Sequence, residues 1–223
     1  MKRYVSMEEI SDGKLYGLND MVKADCNGCK GCSDCCKGMG ESIILDPLDI
    51  YNMTTSLKRN FQELMEKAIE LHVVDGVILP NLKMKEKEDC CYFLDENGRC
   101  TIHQSRPGIC RIFPLGRYYE ENGFRYFLQV NECMQPHAKI KVDKWIDTPQ
   151  IKENQEYIYH WHNILKRVEK IMEEEKDDQV KNQFTLFFLN TFFVKPYDVN
   201  RGFYEQYKER IQLLYSIIGD ETV

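Results

Sequence analysis

The sequence predicts an α+β protein: a small antiparallel sheet and loops around a cysteine-ligated metal centre, followed by a helical C-terminal part. Three observations carry this prediction. All ten cysteines of the 223-residue chain fall between Cys26 and Cys133. Short extended runs broken by Gly and Pro fill the same stretch. From Trp145 onward, apolar residues recur at helical spacing. Two regions follow: a cysteine-cluster domain over residues 20–145, and a helical region over residues 146–223 packed on it.

Along the chain, residues 1–20 read as a polar lead-in. Ser42–Leu45 reads as a short strand ended by Asp46-Pro47, with Pro47 in the first turn of a helix through Met53. Phe61, Leu64, Met65, Ala68 and Leu71 have helical spacing. Gly76–Leu79 reads as a strand ending at Pro80, and 82–87 as a second extended piece. Cys91–Asp95 and Cys100–His103 flank Asn97-Gly98, the pattern of a tight type I′ hairpin. Phe124–Val130 is a strand. Tyr157, Trp161, Ile164, Val168 and Ile171 mark one helix, 180–193 a second and Phe-rich one, and Asn200 is a candidate cap for a third.

Composition narrows the function. The chain is 43% hydrophobic and 30% charged, enough for a packed core. Its net charge of -6 makes nucleic acid a poor partner, because that binding rests on neutralising phosphate. No apolar run is long enough to span a membrane, and the first residues lack the pattern of a secretory signal. The expected compartment is therefore the reducing cytoplasm, where thiols serve as metal ligands rather than staples.

The cysteines form two blocks. In the first, Cys26, Cys29, Cys32 and Cys36 have the C-x2-C-x2-C-x3-C spacing of a bacterial ferredoxin run, with Cys35 beside Cys36 and Lys37 where that run has Pro. Gly28, Gly31, Gly38 and Gly40 permit the tight turns this needs. The second block holds Cys90, Cys91, Cys100, Cys110 and Cys133. A regular hairpin would set Cys91 and Cys100 roughly 13 Å apart, too far for one zinc with ~2.3 Å bonds to sulfur. The hairpin is therefore short and distorted, or the two serve different centres. Ten thiols suffice for two four-ligand centres. Iron–sulfur is favoured over zinc, and four thiolates suit either.

Other residues add less. His103, near Cys100, is a candidate ligand. His160 and His162 cannot share one metal from a helix, and His72 and His137 read as solvated. Arg106 and Arg111 flank Cys110 and either offset the charge of a thiolate-bound cofactor or form ion pairs that fix the hairpin. The Phe-rich helix reads as core, with a partner surface as the alternative. No dinucleotide, nucleotide-phosphate, zinc-protease or hydrolase motif is present.

Cys29-x2-Cys32-x2-Cys35-Cys36 resembles the C-x2-C-x2-C-C signature of the YkgJ-type cysteine-cluster family, described as zinc- or iron-chelating. Cys91-Tyr-Phe-Leu, Gly98-Arg-Cys100-Thr-Ile-His and Arg106-Pro107-Gly-Ile-Cys110-Arg111-Ile-Phe113-Pro114 resemble its second block, and Cys133 its trailing cysteine. The resemblance covers about residues 24–135, with Cys26 and Cys90 as additions. It implies a metal centre. Flagellin lysine N-methylases resemble the same family, which implies S-adenosylmethionine-dependent methyl transfer as one activity.

Three functions remain open. The first is a cytoplasmic protein with one or two iron–sulfur (4Fe-4S) clusters, or zinc, for electron transfer or protein and peptide modification. Its surest ligands are Cys29, Cys32, Cys36 and a cysteine of the second block. The second is a protein lysine methyltransferase using S-adenosylmethionine. The third is an interaction module with structural zinc and a protein or peptide partner. The sequence leaves oligomeric state open.

Overall fold

The computed structural model of the chain describes residues 6–25, 32–133 and 138–220. The expected polar lead-in carries structure from residue 6 on. Ser6 and Glu9 form a capping box that starts helix α1 (Met7–Ile10). Tyr16 exchanges backbone hydrogen bonds of 2.7 and 2.9 Å with Tyr126. Strand β1 (Met21–Asp25) buries Val22 and Ala24 alternately, as a half-covered strand requires.

Helix α2 (Pro47–Leu57) begins where the sequence predicts. Asp46 and Asp49 form its capping box, and Pro47 fills the first turn, where an N–H would have no partner. The 42–45 strand reduces to a single bridge, Ile44 to Asn81. Helical spacing from Phe61 holds only through α3 (Phe61–Met65). Beyond it, Leu71 belongs to β2 (Ile69–Val74), paired antiparallel with β3 (Val77–Leu82) from Ile69–Leu82 to Val74–Val77. The cause is the Asp75-Gly76 turn, whose φ values of 50° and 85° are both left-handed, as a two-residue type I′ loop demands. A Cβ on Gly76 would lie 2.8 Å from that of Met172. Pro80 sits inside β3 rather than ending it, and its carbonyl accepts the Leu45 N–H at 2.8 Å.

Strands β4 (Met84–Lys85) and β5 (Cys90–Cys91) pair with each other, and helix α4 (Gly108–Ile112) follows. Strands β6 (Leu115–Glu120) and β7 (Gly123–Leu128) form a hairpin, and β8 (Ala138–Lys141) pairs with β1. Four helical stretches complete the chain. They are α5 (Val142–Ile146), α6 (Ile151–Glu174), α7 (Asp178–Leu189) with a π-helical continuation over Asn190–Val194, and α8 (Phe203–Ile218). Gly202, not Asn200, stands at the N-cap of α8. The class is α+β, with the extended part as four two-stranded antiparallel ribbons among the described residues.

The chain divides into two units, each drawn from two separated stretches: residues 1–40 with 84–164, and 41–83 with 165–223. In the first, Val22, Ala24, Ile112, Leu115, Tyr126, Val142 and Ile146 form the core. Trp145 packs against it and donates its indole N–H to the carbonyls of Ile112 (3.2 Å) and Phe113 (3.1 Å), which otherwise end α4 unpaired. His162 stacks on Tyr119 with centroids 3.5 Å apart. The second unit buries Phe188, Phe192, Phe193, Met53, Leu64 and Leu214, so these Phe residues of 180–193 are core. Arg210, 6% exposed, donates to the carbonyls of Thr191 (2.6 Å) and Pro196 (2.8 Å) and lies over the Tyr197 ring, tying α8 to the π-helical turn. His72 sits between the carboxylates of Glu41 (3.2 Å) and Glu70 (3.3 Å) rather than in open solvent.

Candidate metal centre

The second cysteine block is built on a turn that differs from the expected one. Gly98 has φ 70°, while Asn97 is outside the left-handed region, so the turn is not type I′. Asp95 organises it instead. Its carboxylate accepts from the N–H groups of Asn97 (2.9 Å) and Arg99 (2.8 Å), and its carbonyl accepts from Gly98 (3.1 Å). Leu94, not Asp95, therefore bridges Cys100. The ladder stops there. Leu94 N–H closes onto the Cys91 carbonyl at 2.9 Å, and Cys90–Cys91 pairs with Met84–Lys85 instead of extending the hairpin. The hairpin is thus short and distorted, and Cys91 and Cys100 come within electrostatic reach of each other.

The first block meets the second through the backbone. Asp34–Cys36 is a single 3-10 turn, in which Cys36 N–H bonds to Ser33 O at 2.9 Å. Lys37 then bridges Cys90, and Gly38 N–H donates to Asp89 O at 2.8 Å. Gly38 has φ 64°, a conformation that favours glycine, and it lets the chain turn at this junction.

Around the junction six thiols form a connected set. Cys35 is held protonated by a hydrogen bond with Cys36, then by burial and the charge Cys36 would carry, and Arg106 opposes this. Cys100 is pushed up by burial and feels Cys35 and Arg106. Cys91 is pushed up to about 11, chiefly by burial, with Cys100 and Cys90 adding to it. Cys90 is raised by burial and by its contact with the Glu88 carboxylate at 3.5 Å. At Cys32 the Asp34 amide pulls the thiol down, but burial, the Asp34 carboxylate at 3.5 Å and nearby Cys35 outweigh it. No described cysteine is in a disulfide. Cys32, Cys35, Cys90, Cys91 and Cys100 resist ionising because burial and neighbouring thiols or carboxylates disfavour the charged form. A bound cation reverses that balance, so the donor set fits a thiophilic metal.

Other candidates separate clearly. Arg111 donates to the carbonyls of Asp147 (3.1 Å) and Gln104. The positive charge of Arg106 favours the ionised forms of Cys35 and Cys100. Its Nη1 lies 2.5 Å from His103 Nε2, and its Nε–H is buried with no acceptor. His103 is held neutral by burial and by Arg106, Arg99 and Arg111. With Nε2 occupied by Arg106, that nitrogen does not serve as a ligand. Cys110 lies on α4 and Cys133 in the loop after β7, both half-buried. Cys26 and Cys29, and with them the start of the ferredoxin-like run, lie outside the described residues.

Among the described residues, no three His, Cys, Asp or Glu side chains stand ready to hold a metal ion as a preformed group. The thiols are brought together pairwise. Sequence reasoning missed Glu88, Lys85 and Asp34, whose side chains reach the thiols or each other. The signal was the charged run Lys83–Asp89 directly before Cys90. No helix among the described residues is long and apolar enough to cross a membrane.

A family model, CxxCxxCC, described as a "putative zinc- or iron-chelating domain", matches residues 28–139, half of the chain. It takes in every cysteine except Cys26. No curated protein and no solved structure matches the chain.

Proposed function

Because the chain belongs to the CxxCxxCC family, we propose that it binds zinc or iron at one thiolate centre drawn from both cysteine blocks. The observation that carries this reading is the Lys37–Cys90 junction, near which Cys35 and Cys100, and Cys100 and Cys91, interact electrostatically. Cys35, Cys36, Cys91 and Cys100 hold the metal, and Cys32 stands next to them. When bound, zinc supplies charge neutralisation, and an iron–sulfur cluster adds one-electron chemistry.

The chain's own residues do the rest. The 3-10 turn Asp34–Cys36 presents adjacent thiols, and the Asp95 turn holds Cys100 toward them. Burial of Cys90 and Cys91 excludes water from one side. Between metals, four thiolates suit zinc and an iron–sulfur cluster alike, and electron transfer or modification of a protein side chain would use the cluster. The cytoplasm, as a reducing compartment, suits such a centre.

Anaerobic purification tests the reading, with iron, sulfide and zinc measured in the same sample. Absorbance at about 400 nm with roughly four iron and four sulfide per cluster supports the iron–sulfur form. Colourless protein with stoichiometric zinc supports the zinc form. Protein that takes up neither metal after reconstitution refutes the proposal.

A further inference from the structure

The two arginines flanking Cys110 look equivalent in sequence, and the structure separates them. Arg111 donates to the Asp147 and Gln104 carbonyls. Arg106 follows the 3-10 turn His103–Ser105, and its Nη1 is pinned 2.5 Å from His103 Nε2. Because a guanidinium has no acceptor, His103 must accept with Nε2 and carry its proton on Nδ1. That contact fixes the plane of the guanidinium. Its Nε–H is buried and unpaired. A buried donor without an acceptor is destabilising, more so when charged, so it calls for a partner that the described side chains do not supply in the metal-free chain. The groups its charge acts on are the sulfurs of Cys35 and Cys100, one from each block.

We propose that Arg106 is the positioning residue of the thiolate centre, donating its Nε–H to the metal-bound sulfur of Cys35 or Cys100 while His103 holds the guanidinium in place. The inference rests on the metal-binding reading above. A thiolate is an acceptor where a thiol is a poor one, so metal loading satisfies the orphan donor, and the positive charge offsets the excess negative charge of a four-thiolate site.

The test uses the full chain titrated with zinc against a chromogenic chelator, and with cobalt as a spectroscopic probe. Arg106→Gln is expected to weaken zinc binding about tenfold or more, the usual cost of losing such a partner, and to shift the thiolate-to-cobalt charge-transfer band. Arg106→Lys keeps the charge but not the planar Nε–H. It should recover part of the affinity while leaving the band shifted, and it serves in the same way if Arg106→Gln fails to fold. Wild-type affinity and an unshifted band in both variants would overturn the inference, as would a lower melting temperature with affinity unchanged. If the wild-type chain binds neither metal, the metal-binding reading fails first, and this role falls with it.

Discussion

Replacing Cys100 with Ser separates the centre from the fold. Cys100 interacts electrostatically with Cys35 of the first block and Cys91 of the second, so the proposed centre depends on it. Its backbone role, the bridge to Leu94, is kept by any residue. Ser is close to Cys in shape and Cys100 is only half-buried, so the metal-free fold should lose under about 1 kcal/mol. The loaded protein should lose far more. A structural zinc site is worth roughly 10–16 kcal/mol over four ligands, so one thiolate carries about 3 kcal/mol. At ~1.4 kcal/mol per decade that is about a hundredfold weaker binding. Chelator competition reads the affinity, and thermal melting of the metal-free protein reads the fold. A zinc affinity within about twofold of wild type would refute the placing of Cys100 at the centre.

Further predictions follow from the same geometry. Because Cys91 is pushed up to about 11 and Cys100 is raised with it, both are protonated in the metal-free chain near neutral pH, and metal must displace those protons. Affinity should rise with pH, by about tenfold per unit for each proton released, and a flat profile between about pH 6 and 8 would contradict this. Arg210→Met removes two charge-assisted hydrogen bonds to the Thr191 and Pro196 carbonyls in a buried position. It should cost ~3–5 kcal/mol and lower the melting temperature by about 10 °C, measured by circular dichroism. Asp46→Ala removes the acceptor that caps α2 at Asp49 N–H (2.9 Å) and should cost about 1 kcal/mol in a denaturant titration.

The parts legible in the sequence were those governed by local rules. Asp46-Pro47 read correctly as a helix start because a cap and a first-turn proline act within one turn. The Phe-rich helix read as core because its spacing reflects burial. Two neighbouring turn signals had opposite outcomes. Asn97-Gly98 suggested a type I′ turn, but the Asp95 carboxylate captured the Asn97 and Arg99 amides and set a different one. Gly76, read only as a strand start, forms the two-residue turn with Asp75, and its ribbon overrode the helical spacing through Leu71. The change in composition near Trp145 was visible, whereas the exchange of chain between units at 40, 84 and 164 depends on long-range packing. In the cysteine region, spacing divided the thiols into two blocks. Only folding could show that the distorted hairpin brings Cys91 toward Cys100, or that Arg106 and Arg111 part ways.

The claim that one centre draws on both blocks is tested most directly by alkylation of the metal-loaded chain, with labelling rates mapped for each cysteine before and after chelation. Cys35, Cys36 and Cys100 are half-buried, so a label can reach them once metal is removed. The account predicts that these three, from two blocks, are protected together by bound metal and lose protection together when the chelator is added. Metal-dependent protection confined to one block, with the other reacting at the same rate throughout, would contradict it.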